Sequence, residues 1–95
     1  MANTELDQIK KNYLFFIFPM VNVDGVKYGH YRTNLCGFDV NRVWRVPRKD
    51  SHPEVYHIKK LLYEINRNTP ISLILDIHGH SKSLNSFFYG NPSKK

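Results

Sequence analysis

The chain has 95 residues, 14 Lys and Arg against 8 Asp and Glu, and a formal charge of +6. It is 41% hydrophobic, enough for one modest core, with six Tyr, six Phe and a single Trp, and it sits at the small end of domain sizes. No run approaches the ~20 apolar residues of a membrane span, and one cysteine, Cys36, excludes an internal disulfide.

In chain order, the polar start Met1-Ala2-Asn3-Thr4-Glu5-Leu6-Asp7 has no apolar signal core. With the lone cysteine it reads as cytoplasmic. Leu6 and Ile9, three apart, fit the last turns of a helix within residues 1–12. Tyr13-Leu14-Phe15-Phe16-Ile17-Phe18 is a continuous apolar run, ended by Pro19, and predicts a strand buried on both faces. Residues 20–50 read as irregular, with Gly25, Gly29, Gly37 and Pro47 as punctuation. A loop that long is expected to be functional or separately packed. Within it Asn22-Val23-Asp24-Gly25 signals a tight turn. Tyr28, Tyr31 and Trp44 are expected to pack against the loop, and Cys36 to be a small buried residue.

Ser51-His52-Pro53-Glu54 predicts a helix start, with Ser51 as cap, Glu54 closing a capping box and Pro53 in the first turn. Val55, Ile58, Leu61, Leu62 and Ile65 form one apolar stripe at helical spacing. His52 and His57 are expected at the surface. Residues 66–70 stop the helix, 71–77 form a second apolar strand and 86–89 a short third one. Strand, crossover helix and strand imply parallel pairing. The expected fold class is α/β, a fragment of a mixed, largely parallel sheet with flanking helices. One long helix cannot cover both faces of such a sheet. Its carboxyl edge would gather Arg32, Asn41, Arg42 and His78.

His78 sits where the second strand should end. It is either a zinc ligand oriented through its other ring nitrogen or a hydrogen-bonded strand-end histidine. His78-x-His80 would be two ligands at most, and two do not complete a site. Asn41-Arg42 offers a bidentate guanidinium and an amide, which suit a free peptide C-terminus. Arg32 can stabilise a developing oxyanion. Equally, these arginines can pair with Asp24, Asp39 or Asp76, and Asp76 needs a partner if buried. The denser basic places are residues 42–49 and Lys94-Lys95, without the stripe of a nucleic-acid binder. No nucleic-acid or membrane partner is therefore expected.

Five blocks together resemble the funnelin-type zinc carboxypeptidases, especially their cytosolic, deglutamylase-like branch. They are Phe18-Pro19-Met20-Val21-Asn22-Val23-Asp24-Gly25, Tyr28-Gly29-His30-Tyr31-Arg32, Gly37-Phe38-Asp39-Val40-Asn41-Arg42-Val43-Trp44, His52-Pro53-Glu54-Val55-Tyr56 and Asp76-Ile77-His78-Gly79-His80-Ser81. The resemblance implies a zinc-dependent metallocarboxypeptidase that removes C-terminal residues, glutamate among them, from peptides or proteins such as acidic tubulin tails. It implies His78 as the third zinc ligand, Asn41 and Arg42 as the carboxylate-holding pair, and Arg32 as the carbonyl-polarising arginine. It also implies a cis peptide at Gly79-His80. Val23 stands where the family has proline. The family's upstream His-x-x-Glu ligands and downstream catalytic glutamate are absent, so residues 1–95 read as a partial catalytic domain, inactive alone. The alternative is a non-catalytic protein that binds C-terminal carboxylates, or a relic peptidase domain.

Overall fold

The computed structural model describes residues 4–91. The polar start at residues 1–3 and the basic pair Lys94-Lys95 lie outside the described residues. Three α-helices and one 3-10 turn follow in order: α1 (Thr4–Asn12), α2 (Val23–Lys27), the 3-10 turn Val40–Arg42 and α3 (Pro53–Asn68).

Helix α1 begins with Glu5 and Asp7 and ends with Lys10 and Lys11, each sign complementing the helix dipole at its end. None of its residues is buried. Helix α3 carries the expected stripe, and Val55, its first member, is 0% exposed, the one buried apolar side chain among the described residues. Pro53 opens α3, where its missing N–H costs nothing. At the other end the Thr69 N–H bonds the Ile65 carbonyl, and Pro70 bars a further turn.

The capping box expected at α3 does not form. The N-cap is His52, without a side-chain cap bond, and the Ser51 hydroxyl donates to Asp50 instead. Glu54 is taken by the Asn34 amide, 3.3 Å away, so a tertiary contact displaces the local one. His52 is 6% exposed rather than at the surface, whereas His57 is exposed as expected. The N–H of Arg48 donates to His52 Nδ1 at 3.0 Å, and the Phe38 ring meets the imidazole edge-on at 4.5 Å. Arg48 also holds Asp50 through two hydrogen bonds of 3.1 and 2.6 Å. Those bonds, then the one from Ser51, hold the Asp50 carboxyl below its ordinary range.

The expected sheet is not seen among the described residues. Residues 13–18 and 71–77 carry no ladder, and the only β pairing is an isolated antiparallel bridge between Thr33 and Asp39. Residues 86–89 are likewise unpaired. The apolar pattern reports which segments want burial in a sheet. A strand exists only once a neighbour takes its N–H and C=O groups. Here Leu14 is 78% and Ile77 95% exposed. The radius of gyration, 16.2 Å, exceeds the ~12 Å of a compact chain this long. Of the expected α/β fold only the helical part is seen among the described residues, with α3 lying between the two apolar runs along the chain as expected. No helix of the described residues is long and apolar enough to cross a membrane.

Candidate functional site

The stretch expected to be irregular is instead tied together by many loop and side-chain hydrogen bonds, and it carries three of the four candidate residues. It begins at α2. The Asn22 side chain accepts the Gly25 N–H and donates to the Thr33 carbonyl at 3.0 Å. The predicted turn is thereby drawn into a short helix. Gly25 is buried beneath that amide, and a Cβ there would collide with it. The chain then reverses through Gly37, whose φ of +82° favours glycine.

Asn34 organises this reversal. It is 1% exposed. Its Oδ1 accepts the N–H groups of Cys36 and Phe38, both at 3.1 Å. Its Nδ2 donates to the Ser51 carbonyl at 2.8 Å as well as to Glu54. Its own N–H bonds the Phe38 carbonyl at 2.9 Å, and its carbonyl accepts from Gly37 N and from His30 Nδ1. One side chain therefore fastens the reversal to the first turn of α3. Cys36, expected to be buried, lies on the exposed outside of this turn. Tyr28 and Tyr31 are also exposed rather than packed, with Lys27 over one ring and Arg32 over the other.

Asp39 sets the next turn. Its Oδ1 caps the 3-10 turn by accepting the Asn41 N–H at 2.9 Å, and its carbonyl accepts the Arg42 N–H at 3.0 Å. Its Oδ2 lies 3.6 Å from Arg32 Nη1. Arg32, Asn41 and Arg42 thus meet at one residue, the first two at the Asp39 carboxylate and Arg42 at its backbone carbonyl. The Arg42 guanidinium is exposed and touches only the neighbouring Asn41 carbonyl, at 3.4 Å. The half-buried Asn41 amide makes no side-chain hydrogen bond among the described residues. The pair thus presents a charged fork and an amide that are free to bind a carboxylate.

His78 stands apart from this cluster. Its Nδ1 lies 3.6 Å from Asp76 Oδ1, both side chains are exposed, and no hydrogen bond or ion pair joins it to Arg32, Asn41 or Arg42 among the described residues. Asp76 therefore faces this histidine rather than a loop arginine. A carboxylate behind Nδ1 leaves Nε2 as the free ligand atom, which suits a metal. His80 is different. Its Nδ1 accepts the N–H groups of Lys82 and Ser83, each at 3.1 Å, so its proton sits on Nε2 and no lone pair remains. The His78-x-His80 pair is not a two-ligand set here. No group of three His, Cys, Asp or Glu able to hold a metal occurs among the described residues. A zinc site needs three protein ligands, so these residues do not fit a complete one. The cis peptide expected at Gly79-His80 is not present. Such a bond costs about 3–4 kcal/mol and persists only where its surroundings enforce it, and nothing approaches Gly79 within 4 Å of its Cβ position.

Sequence reading missed two residues that shape the site, Asn34 and Lys59. An Asn three residues before Gly37 does signal a side-chain-closed turn. Its tie to Ser51 and Glu54 crosses 17 and 20 residues and left no local mark. Nothing in the local sequence sets Lys59 apart from the other cations of α3. Its ammonium donates to the carbonyls of Trp44 and Arg45, both at 2.8 Å.

Residues 1–95 match the model of the zinc carboxypeptidase family. The chain is similar to cytosolic carboxypeptidase 6 of Caenorhabditis elegans, 44% identical over 86 residues covering 88% of this chain and 19% of that protein. It is similar to cytosolic carboxypeptidase 1 of Gallus gallus, 41% identical over 90 residues, 94% of this chain and 7% of that protein. The human cytosolic carboxypeptidase 1 is 42% identical over 89 residues, 93% of this chain and 7% of that protein. The chain thus spans a fifth or less of the length of these curated relatives. No solved structure matches it.

Proposed function

Because the chain belongs to the zinc carboxypeptidase family, we propose that it forms the carboxylate-binding part of a zinc-dependent metallocarboxypeptidase that removes C-terminal residues from peptides or proteins. The observation that carries this reading is the turn at Asp39, which fixes the backbone of Asn41 and Arg42 while leaving the guanidinium and the amide without strong internal partners. An ordered backbone bearing free donors lowers the cost of binding, since only the side chains remain to be ordered.

In this reading Arg42 takes the two carboxylate oxygens of the substrate's C-terminus with its parallel N–H groups, and the Asn41 amide adds a third donor. Arg32 serves the scissile carbonyl. Its contact with Asp39 at 3.6 Å is longer than a hydrogen bond, and its side chain is 58% exposed. A pair this long on a side chain this exposed is worth little, so Arg32 can turn outward while the Asp39 carboxylate, 20% exposed, keeps the Asn41 N–H as its partner. Zinc, where bound, supplies Lewis acidity and an activated water. His78 would be one ligand, and the remaining ligands and the general base would have to come from outside these residues.

The proposed substrates are protein C-termini, with acidic tails such as those of tubulin as the finer choice. A chain of charge +6 suits them. Arg45 is exposed and available to read an acidic side chain, whereas Arg48 is occupied by Asp50. The cytoplasm is proposed as the compartment from the names of the cytosolic carboxypeptidases it is similar to. A second reading, a protein that holds C-terminal carboxylates without cleaving them, is favoured by the lack of a three-group metal cluster among the described residues.

One assay tests the enzymatic reading. The purified 95-residue chain with added zinc is expected to release no C-terminal amino acids. A longer polypeptide that also supplies a His-x-x-Glu pair and a general base is expected to release them, and His78→Ala in it to abolish that release. Chelator-sensitive turnover by the short chain, lost in His78→Ala, would contradict the assignment of the missing ligands. Turnover of the longer polypeptide undiminished by His78→Ala would contradict the role of His78.

A further inference from the structure

We infer that Lys59 is a positioning residue for the carboxylate-binding turn, a role that rests on the reading of Asn41 and Arg42 given above. The loop that carries the pair is fastened to α3 at both ends. At its start, Asn34 bonds the Ser51 carbonyl just before the helix and the Glu54 carboxylate in its first turn. At its far end, the Lys59 ammonium takes the carbonyls of Trp44 and Arg45, both at 2.8 Å. Glu54 and Lys59 are five residues apart, about 7.5 Å along the helix. The helix thus fixes the span that the loop must bridge.

Between those anchors lie Asp39, Asn41 and Arg42. The carbonyls of Trp44 and Arg45 stand only two and three residues beyond Arg42. The Asp39 bonds fix the front of the 3-10 turn, and among the described residues the two bonds from Lys59 are the hydrogen bonds that hold its exit, where the half-buried Trp44 lies beside Leu62 and Tyr63 of α3. The Arg42 side chain has no internal anchor beyond its own neighbour. Its direction is therefore set by the backbone, and Lys59 holds that backbone. Three features separate this from an ordinary surface lysine. The ammonium is bonded to two carbonyls rather than to a carboxylate. It joins segments 14 and 15 residues apart. Its own i+4 neighbour is Tyr63, so it has no helical ion pair in that direction.

The experiment is a titration of the 95-residue chain with a short peptide ending in a free carboxylate, and with the same peptide as its C-terminal amide, followed by calorimetry or by NMR. Wild-type chain is expected to prefer the acid. Lys59→Met keeps a good helix former at the position. It is expected to weaken binding of the acid by about fivefold, a modest coupling between sites, with unchanged helix content and an unfolding midpoint close to wild type. Lys59→Arg, which restores donors to the same carbonyls, is expected to recover most of that affinity. Wild-type affinity in Lys59→Met would overturn the inference. So would loss of helix content and affinity together with no recovery in Lys59→Arg, which would make the residue merely structural. A wild-type chain that does not distinguish acid from amide would overturn the carboxylate-binding reading itself, and the role of Lys59 with it. That outcome is read before any variant is made.

Discussion

Asn34→Ala is expected to lower the stability of the helix and loop unit by about 2–4 kcal/mol, measured as the urea midpoint of the α3 circular dichroism signal. Four bonds of the Asn34 side chain would be lost, two accepted from Cys36 and Phe38 and two donated to Ser51 and Glu54. A net hydrogen bond is worth about 0.5–1.5 kcal/mol, and a buried group left unpaired costs about 1–3 kcal/mol. Asn34 is almost wholly enclosed, so water cannot replace the lost partners without opening the turn. The sense of the amide is not in doubt, since backbone N–H groups can only donate to Oδ1. Asn34→Asp provides the sharper comparison. It keeps the acceptor but sets a carboxylate against the Ser51 carbonyl and the Glu54 carboxylate, so it is expected to destabilise at least as much as alanine at neutral pH. A midpoint unchanged in both variants would mean that the reversal and α3 are held by something other than this residue.

Arg42→Ala is expected to weaken binding of a peptide with a free C-terminus by about 10- to 100-fold, the equivalent of a charge-assisted hydrogen-bond pair at about 1.5–3 kcal/mol. The guanidinium is exposed and makes one long bond to its neighbour's carbonyl. Its removal should therefore leave the fold and the unfolding midpoint intact. Arg42→Lys keeps the charge but loses the planar fork, and should recover only part of the affinity. Because the site is open to solvent, the charge part of the interaction should weaken with added salt. Equal affinity in wild type and Arg42→Ala would remove the pair from the binding site.

Local signals read well where the structure is local. The spacing of Leu6 and Ile9 and the stripe from Val55 to Ile65 reported α1 and α3, because helical periodicity is written within a dozen residues. Pro53 and Pro70 marked the ends of α3 through their backbone chemistry. The candidates Arg32, Asn41 and Arg42 were recognisable by residue type, and the structure joins them through Asp39. What could not be read was which polar side chain reaches across the chain. Glu54 has the sequence context of a capping box, yet Asn34 takes it from 20 residues away. His52 looks like a surface histidine, yet Arg48 and Phe38 enclose it. Lys59 looks like one more helix cation until its carbonyl partners are seen. The runs 13–18 and 71–77 fail in the opposite sense. Their composition states what they would do beside a partner strand, and none of the described residues provides one.

Recognition of a C-terminal carboxylate by the Asn41 and Arg42 turn is the proposal on which the other roles depend. It is tested most directly by comparing one short peptide as its free acid and as its C-terminal amide, titrated into the wild-type 95-residue chain without zinc. Clear preference for the acid is expected, with chemical-shift changes centred on residues 39–45. Equal binding of acid and amide, or shifts confined to other residues, would contradict it.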